Sequence, residues 1–69
     1  MSDHVYKVVE IVGSSKVSCD DAIRTAIATS SKTIRHISWF EVVGTTGHVV
    51  DGQVAHFQVK LKIGFRIEE

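Results

Sequence analysis

From His56 onward the chain alternates with a period of two. Phe57, Val59, Leu61, Ile63, Phe65 and Ile67 fall on one side, and His56, Gln58, Lys60, Lys62, Gly64 and Arg66 on the other. That period belongs to a β-strand, because successive side chains point to opposite faces. One side is wholly apolar and the other carries no large apolar residue, so the strand lies in a sheet with a core on one face only. The rest of the chain must supply what pairs with this strand and what covers it.

The pairing segment lies immediately upstream. Asp51-Gly52 is a strong tight-hairpin signal, and it joins the last strand to a long segment from Ile37 to Val50. Gly44 and Gly47 within that segment are expected to mark a bulge or sharp twist, since a strand glycine without such a reason only weakens the strand. At the other end, Val5 to Val12 (VYKVVEIV) is rich in β-branched residues and reads as a strand closed by a turn at Gly13-Ser14-Ser15. Its alternation is imperfect, because Tyr6 and Val8 share a face with Glu10, and the buried side stays open. Between these strands a helix is expected from Ser18 to about Arg35. Ser18 with Asp21 resembles a capping box with Asp in place of Glu, and Asp20 and Asp21 suit the positive end of the helix dipole. Ile23, Ala26, Ile27, Ser30 and Ile34 form one narrow stripe, which lets the helix lie close to a sheet. Lys32, Arg35 and His36 would occupy the end where the dipole favours positive charge. The order is β-α-β-β in one α+β domain spanning residues 1–69.

The cover is too small for the sheet. The last two strands span on the order of 35–45 Å at ~3.3 Å per residue, whereas a helix of ~18 residues reaches only about 27 Å. A chain of 69 residues also buries only about 60% of its unfolded surface, and small domains usually add a disulfide, a metal or a partner. Cys19 is the only cysteine, so no internal bridge forms, and a reducing, cytoplasmic home fits. The four histidines show no ligand spacing. Self-association is the remaining route. Eight basic residues balance eight acidic ones, which argues against a nucleic-acid partner. No signal-peptide-like segment or membrane-length apolar run of ~18 residues occurs.

Parity singles out Trp39. In Ser38-Trp39-Phe40-Glu41-Val42, Phe40 and Val42 fit the core face beneath the helix, which turns Trp39 and Glu41 to the polar face. A tryptophan there is either an interface anchor or a stacking platform for a flat ligand, and both hold if the ligand lies between subunits. With a two-residue turn, Val50 pairs with Gln53 and Trp39 comes opposite Gly64, which would leave open space over the indole for a ring. Gln58, whose amide both donates and accepts, then lies roughly 20 Å away. One chain could hardly bring both onto one small ligand, but two chains about a two-fold axis could. Arg66 continues the polar row with Lys60 and Lys62, either as a solvated face or as an anion contact. Catalytic constellations are missing, and no enzyme is expected. Cys19 has no histidine placed beside it and is expected to fill the core edge. His48 and His56 flank the hairpin, but two histidines without further ligands are a weak basis for zinc.

Val5-Tyr6-Lys7 through Gly13-Ser14-Ser15, then Trp39-Phe40-Glu41-Val42, His56-Phe57-Gln58-Val59 and Gly64-Phe65-Arg66-Ile67-Glu68-Glu69 are similar to the dodecins, particularly their bacterial branch. The likeness covers almost the whole chain. It implies a three-stranded antiparallel sheet wrapped around one helix, and a hollow homododecamer of cubic symmetry. It also implies flavins bound in pairs at two-fold interfaces, each ring stacked by Trp39 and hydrogen-bonded by Gln58. The implied role is storage or buffering of flavin with quenching of its photochemistry, against the alternative of an assembly module without a small ligand. Thr46 stands where many bacterial members carry an arginine near the flavin phosphate, while Arg66 keeps the other family arginine. FMN is therefore the first ligand expected, with riboflavin or lumichrome following. Some members bind coenzyme A through basic groups near the helix end. Lys32 and Arg35 could serve here, although Thr29 replaces a basic residue of those relatives.

Overall fold

A computed structural model of the protein describes residues 3–68; Met1, Ser2 and Glu69, the last of these part of the C-terminal motif, lie outside them. Strand β1 (Tyr6–Ser15) leads into helix α1 (Cys19–Ser30), followed by β2 (Ile37–Val50) and β3 (Gln53–Arg66). The three strands form one antiparallel sheet in the order β1-β3-β2. The strongly alternating last strand is thus the central one, which explains why its pattern is the cleanest. No helix is long and apolar enough to cross a membrane among the described residues.

The apolar side of β3 forms the core, as its alternation requires. Val59, Leu61 and Ile63 are fully buried against Ala22 and Ala26 of the helix, with Val9, Ile11, Cys19, Ile23, Ile27, Ile34 and Ile37 packed around them. This settles the open face of β1: Val9 and Ile11 point to the core, and Tyr6, Val8 and Glu10 point outward. The strand does not stop at Gly13. It runs on to Ser15, with Gly13 opposite Val59 and Ser15 opposite Phe57. The glycine serves close approach instead of a turn, because a Cβ there would lie 2.2 Å from the Ala22 carbonyl oxygen and 2.9 Å from the Ala26 Cβ.

The helix is shorter than its sequence stripe. It ends at Ser30, and residues 31–33 form a turn. The Ser31 hydroxyl donates back to the Ile27 carbonyl at 2.8 Å and the Thr33 hydroxyl to the Ser30 carbonyl at 3.5 Å. Hydroxyls that bond nearby carbonyls compete with the helix ladder, and backbone bonds to residues three back, such as Lys32 to Thr29 at 3.2 Å, tighten the last turn. His36 then takes a left-handed φ of 63° and redirects the chain into β2. Lys32, Arg35 and His36 therefore lie beyond the helix, and its last turn holds no basic residue.

The N-terminal cap is also rearranged. The Ser18 hydroxyl accepts from the Asp21 N–H at 3.0 Å, as expected, but Asp21 does not reach back to complete a box. Its carboxylate instead accepts from the Ser15 hydroxyl at 2.7 Å, and Ser15 Oγ accepts from the N–H groups of Val17 at 2.9 Å and Ser18 at 3.4 Å. One buried hydroxyl thus ties the end of β1 to the start of the helix.

The helix lies over β1 and β3. Phe40 and Val42 are on the core side of β2, opposite Ile63 and Leu61, but the helix gives them little cover: Phe40 only borders Ile23 and Arg24 at its flank, and the two remain 48% and 43% exposed. The cause is strand order, since β2 is the edge beyond β3. The molecule measures 57 × 20 × 13 Å, while a helix of 12 residues spans about 18 Å.

Replacing Ser15 with Ala strands two N–H groups and a carboxylate, and is expected to cost about 1–3 kcal/mol. Ser14→Ala, on the exposed side of the same strand, should cost far less. Thermal melts at equal protein concentration check this; equal melting temperatures would mean that the cap is not held through Ser15.

Candidate functional site

The outer face of the sheet carries the candidate site, and three register shifts decide what meets there. The turn residues Asp51 and Gly52 have φ of 52° and 74°, as a two-residue hairpin turn of the primed type requires. Val50 accordingly pairs with Gln53 and Val49 with Val54. Next to the turn, Ala55 is passed over and His48 faces His56, so that Thr46 comes opposite Gln58. Further along, Val43 is passed over on β2, beside Gly44, and the original register returns with Trp39 opposite Gly64. A third shift skips Ser38. Gly44 thus borders a bulge as expected, while Gly47 pairs regularly with Phe57.

Trp39 is on the outer face, but the space over Gly64 is not left open for a ligand. A Cβ on Gly64 would fall 2.2–2.4 Å from Cζ2, Cε2 and Cη2 of the indole. The tryptophan folds across the ladder and fills that space itself, as a large ring beside a strand glycine readily does. Tyr6 of β1 meets the indole edge-on, with ring centroids 5.2 Å apart and planes at 67°. Glycine on one face and tyrosine at the edge leave Trp39 43% exposed. A flat ring can stack only from the solvent side.

Tyr6 is the residue that sequence reasoning missed. Its parity with Val8 was legible, but its reach to Trp39 depends on the register of β1, where Tyr6 pairs with Arg66 and Val8 with Gly64. Arg66 therefore lies at the Trp39 end of the face.

Gln58 belongs to a neutral polar row, paired with Ser14 on one side and Thr46 on the other. None of the side-chain hydrogen bonds among the described residues uses its amide. From Gly64 to Gln58 the strand advances roughly 20 Å, and because the bulges at Ala55 and Val43 offset each other, that separation stands. The site residues share one face but form two groups: Trp39, Tyr6 and Arg66 at one end, and Thr46 with Gln58 nearer the hairpin.

Arg35 is already engaged. It forms an ion pair with Glu68 at 3.2 Å, and the His36 ring meets the other carboxylate oxygen at 3.3 Å. The hydrogen bond from His36, then the charge of Arg35, hold the Glu68 carboxyl below its ordinary value. These residues border a cleft of about 490 Å³ together with Lys7 and Arg66. Lys32 is not among its lining residues.

The sequence matches the Dodecin family over residues 5–68. It is 46% identical, over 94% of both chains, to a dodecin of Thermus thermophilus. The structure of a dodecin from Streptomyces coelicolor superposes with a TM-score of 0.95 at 52% identity, covering 100% of this chain and 99% of that one. A more distant relative is a calcium dodecin of Mycobacterium tuberculosis, described as calcium-chelating, with a TM-score of 0.80 at 26% identity over 93% of this chain and 91% of that one.

Gly64→Ala is expected to push the indole off the sheet, at an overpacking cost of about 1–3 kcal/mol. The near-ultraviolet circular dichroism of the Tyr6–Trp39 pair should collapse, with a red shift in tryptophan emission. Gly44→Ala, where a Cβ meets nothing within 4 Å, should leave both signals in place. The Glu68 midpoint, followed by carbon NMR, should rise toward the ordinary carboxylate value in His36→Ala. Any stability from this clasp is present above the unfolded pKa and is lost as pH falls through the lowered one. An unmoved midpoint would show that the clasp does not form in solution.

Proposed function

The chain belongs to the dodecin family, and on that premise we propose that it is a flavin-binding storage protein, not an enzyme, which assembles as a hollow homododecamer. The observation that carries this reading is the indole of Trp39, backed by Gly64 and edged by Tyr6, with its remaining face open on the outer side of the sheet. That geometry fits a flat aromatic ring, because the platform is already fixed before any ring arrives.

Gln58 would hydrogen-bond the polar edge of a ring held on Trp39 of a second copy about a two-fold axis, since the two groups are too far apart on one chain. The uncovered apolar residues of β2, Phe40 and Val42, supply a reason for subunits to associate at all. Arg66, beside the stacking end, is placed to meet an anionic tail. Thr46 offers only a hydroxyl where an arginine would add a second charge. FMN is therefore the preferred ligand, by a smaller margin over riboflavin or lumichrome. A bound flavin brings a photo-excitable ring, and an indole pressed against it offers an electron-transfer route that quenches the excited state. A coenzyme A site at Lys32 and Arg35 finds less support, because Arg35 is held by Glu68. The cytoplasm is the proposed compartment, where the thiol of Cys19 stays reduced.

Titration of FMN fluorescence tests the reading. The assembled protein should quench it, and Trp39→Ala should weaken binding by about 1–3 kcal/mol, the scale of a base stacked on an aromatic side chain. A protein that sizes as an assembly yet leaves FMN emission unchanged would instead be an assembly module in which Trp39 anchors an interface. A monomer by size exclusion would reject both readings.

A further inference from the structure

The histidines of the hairpin arm play no part in the flavin reading, and the structure changes their standing. The turn register alone would set His48 opposite Ala55. The bulge that passes over Ala55 sets it opposite His56 instead. The two rings lie face to face, with centroids 4.8 Å apart and 28° between their planes. Neither imidazole takes part in a side-chain hydrogen bond or ion pair among the described residues. His48 is exposed and His56 half-buried. The next row on this face, Thr46 with Gln58, is uncharged, and Lys60 comes only in the row beyond.

The separation suits a chelate. A zinc–imidazole bond is about 2.0–2.1 Å, and the ring centroid lies roughly 1.1 Å behind the nitrogen, so each centroid stands about 3.2 Å from a shared ion. Angles at the metal between about 90° and 110°, the square-planar to tetrahedral range, then place the centroids roughly 4.5–5.2 Å apart. The observed value falls inside this window. The nearly parallel planes need only a rotation about χ2 to converge their nitrogens, and χ2 of histidine is a broad, soft torsion.

We propose that His48 and His56 form a two-histidine site for a late first-row divalent ion such as zinc, nickel or copper, with water completing the coordination. Imidazole suits these ions, and their affinity for nitrogen donors rises along the series to copper. Calcium takes six to eight oxygen ligands and is not accommodated here. The strands already hold the two side chains opposite each other, so only the side-chain torsions have to be fixed on binding.

Calorimetric titration of zinc chloride into the assembled, flavin-free protein, with zinc-edge anomalous diffraction from soaked crystals, provides the test. Saturable uptake equimolar with chains is expected, with an anomalous peak between the two rings. His48→Asn and His56→Asn should each abolish uptake while leaving the melting temperature and FMN quenching intact. Calcium chloride should give no heat. No saturable uptake, uptake that survives either substitution, or a peak at His4, His36 or Cys19 alone would overturn the proposal. Because FMN quenching is read separately, failure here is distinguishable from failure of the flavin reading.

Discussion

Ala22 and Ala26 of the helix press against Gly13 so closely that no side chain would fit between them. This contact seats the helix over β1 and the central strand, and everything else about the exposed surface follows from it. A helix set there buries Val59, Leu61 and Ile63 completely but borders β2 only at its flank. Phe40 and Val42 are left facing water on the side where an ordinary domain would have its core. Apolar surface of that kind favours association, so the seat of one helix underlies the proposed assembly.

The opposite face is organised by register. A plain hairpin from Asp51-Gly52 would already put Trp39 opposite Gly64, and the two bulges between them cancel without disturbing that pair. Their effect is local: over the stretch between Ala55 and Val43, every partner is displaced by one residue. Thr46 meets Gln58 and His48 meets His56 only because of this displacement. Bulges commonly re-aim side chains near functional sites, and here one device assembles both the polar row and the histidine pair.

Much of this was legible in the sequence because it rests on period and parity. The alternation of Phe57 to Ile67 identified the core face, the turn signal identified the hairpin, and together they placed Trp39 on the outer side opposite Gly64. What escaped was decided by contacts between elements. Gly13 looks like a turn residue in sequence, and only the helix above it reveals a packing role. The stripe through Ile34 extends the apparent helix, because Ile34 packs against the core from just beyond the turn as well as it would from a helix, while the N–H groups of Lys32 and Thr33 bond three residues back instead of four. Phe40 and Val42 share the core's parity, but parity carries no information about strand order and so could not say that the helix leaves them half exposed. Tyr6 was hidden for a related reason: its contact with Trp39 runs across β3 between strands far apart in sequence.

The space above Gly64 shows how far the proposed stacking platform differs from an empty slot. Had it been vacant, a ligand would have had to order a mobile indole while binding. With the ring already resting on the glycine and braced by Tyr6, one of its faces is withdrawn from water in the free protein, and side-chain freedom is lost on folding instead of on binding. A flat ligand then covers only the outer face of the indole, and that contact leaves the ligand's own far side in solvent. On a single chain Gln58 cannot reach the polar edge of such a ring, because it lies about 20 Å along the strand. In the proposed assembly a second copy supplies that contact. A ligand held between copies binds the assembled state better than the separated one, and so stabilises the assembly by mass action. On the proposed reading, the geometry that makes Trp39 a platform also makes ligand binding and self-association two aspects of one equilibrium.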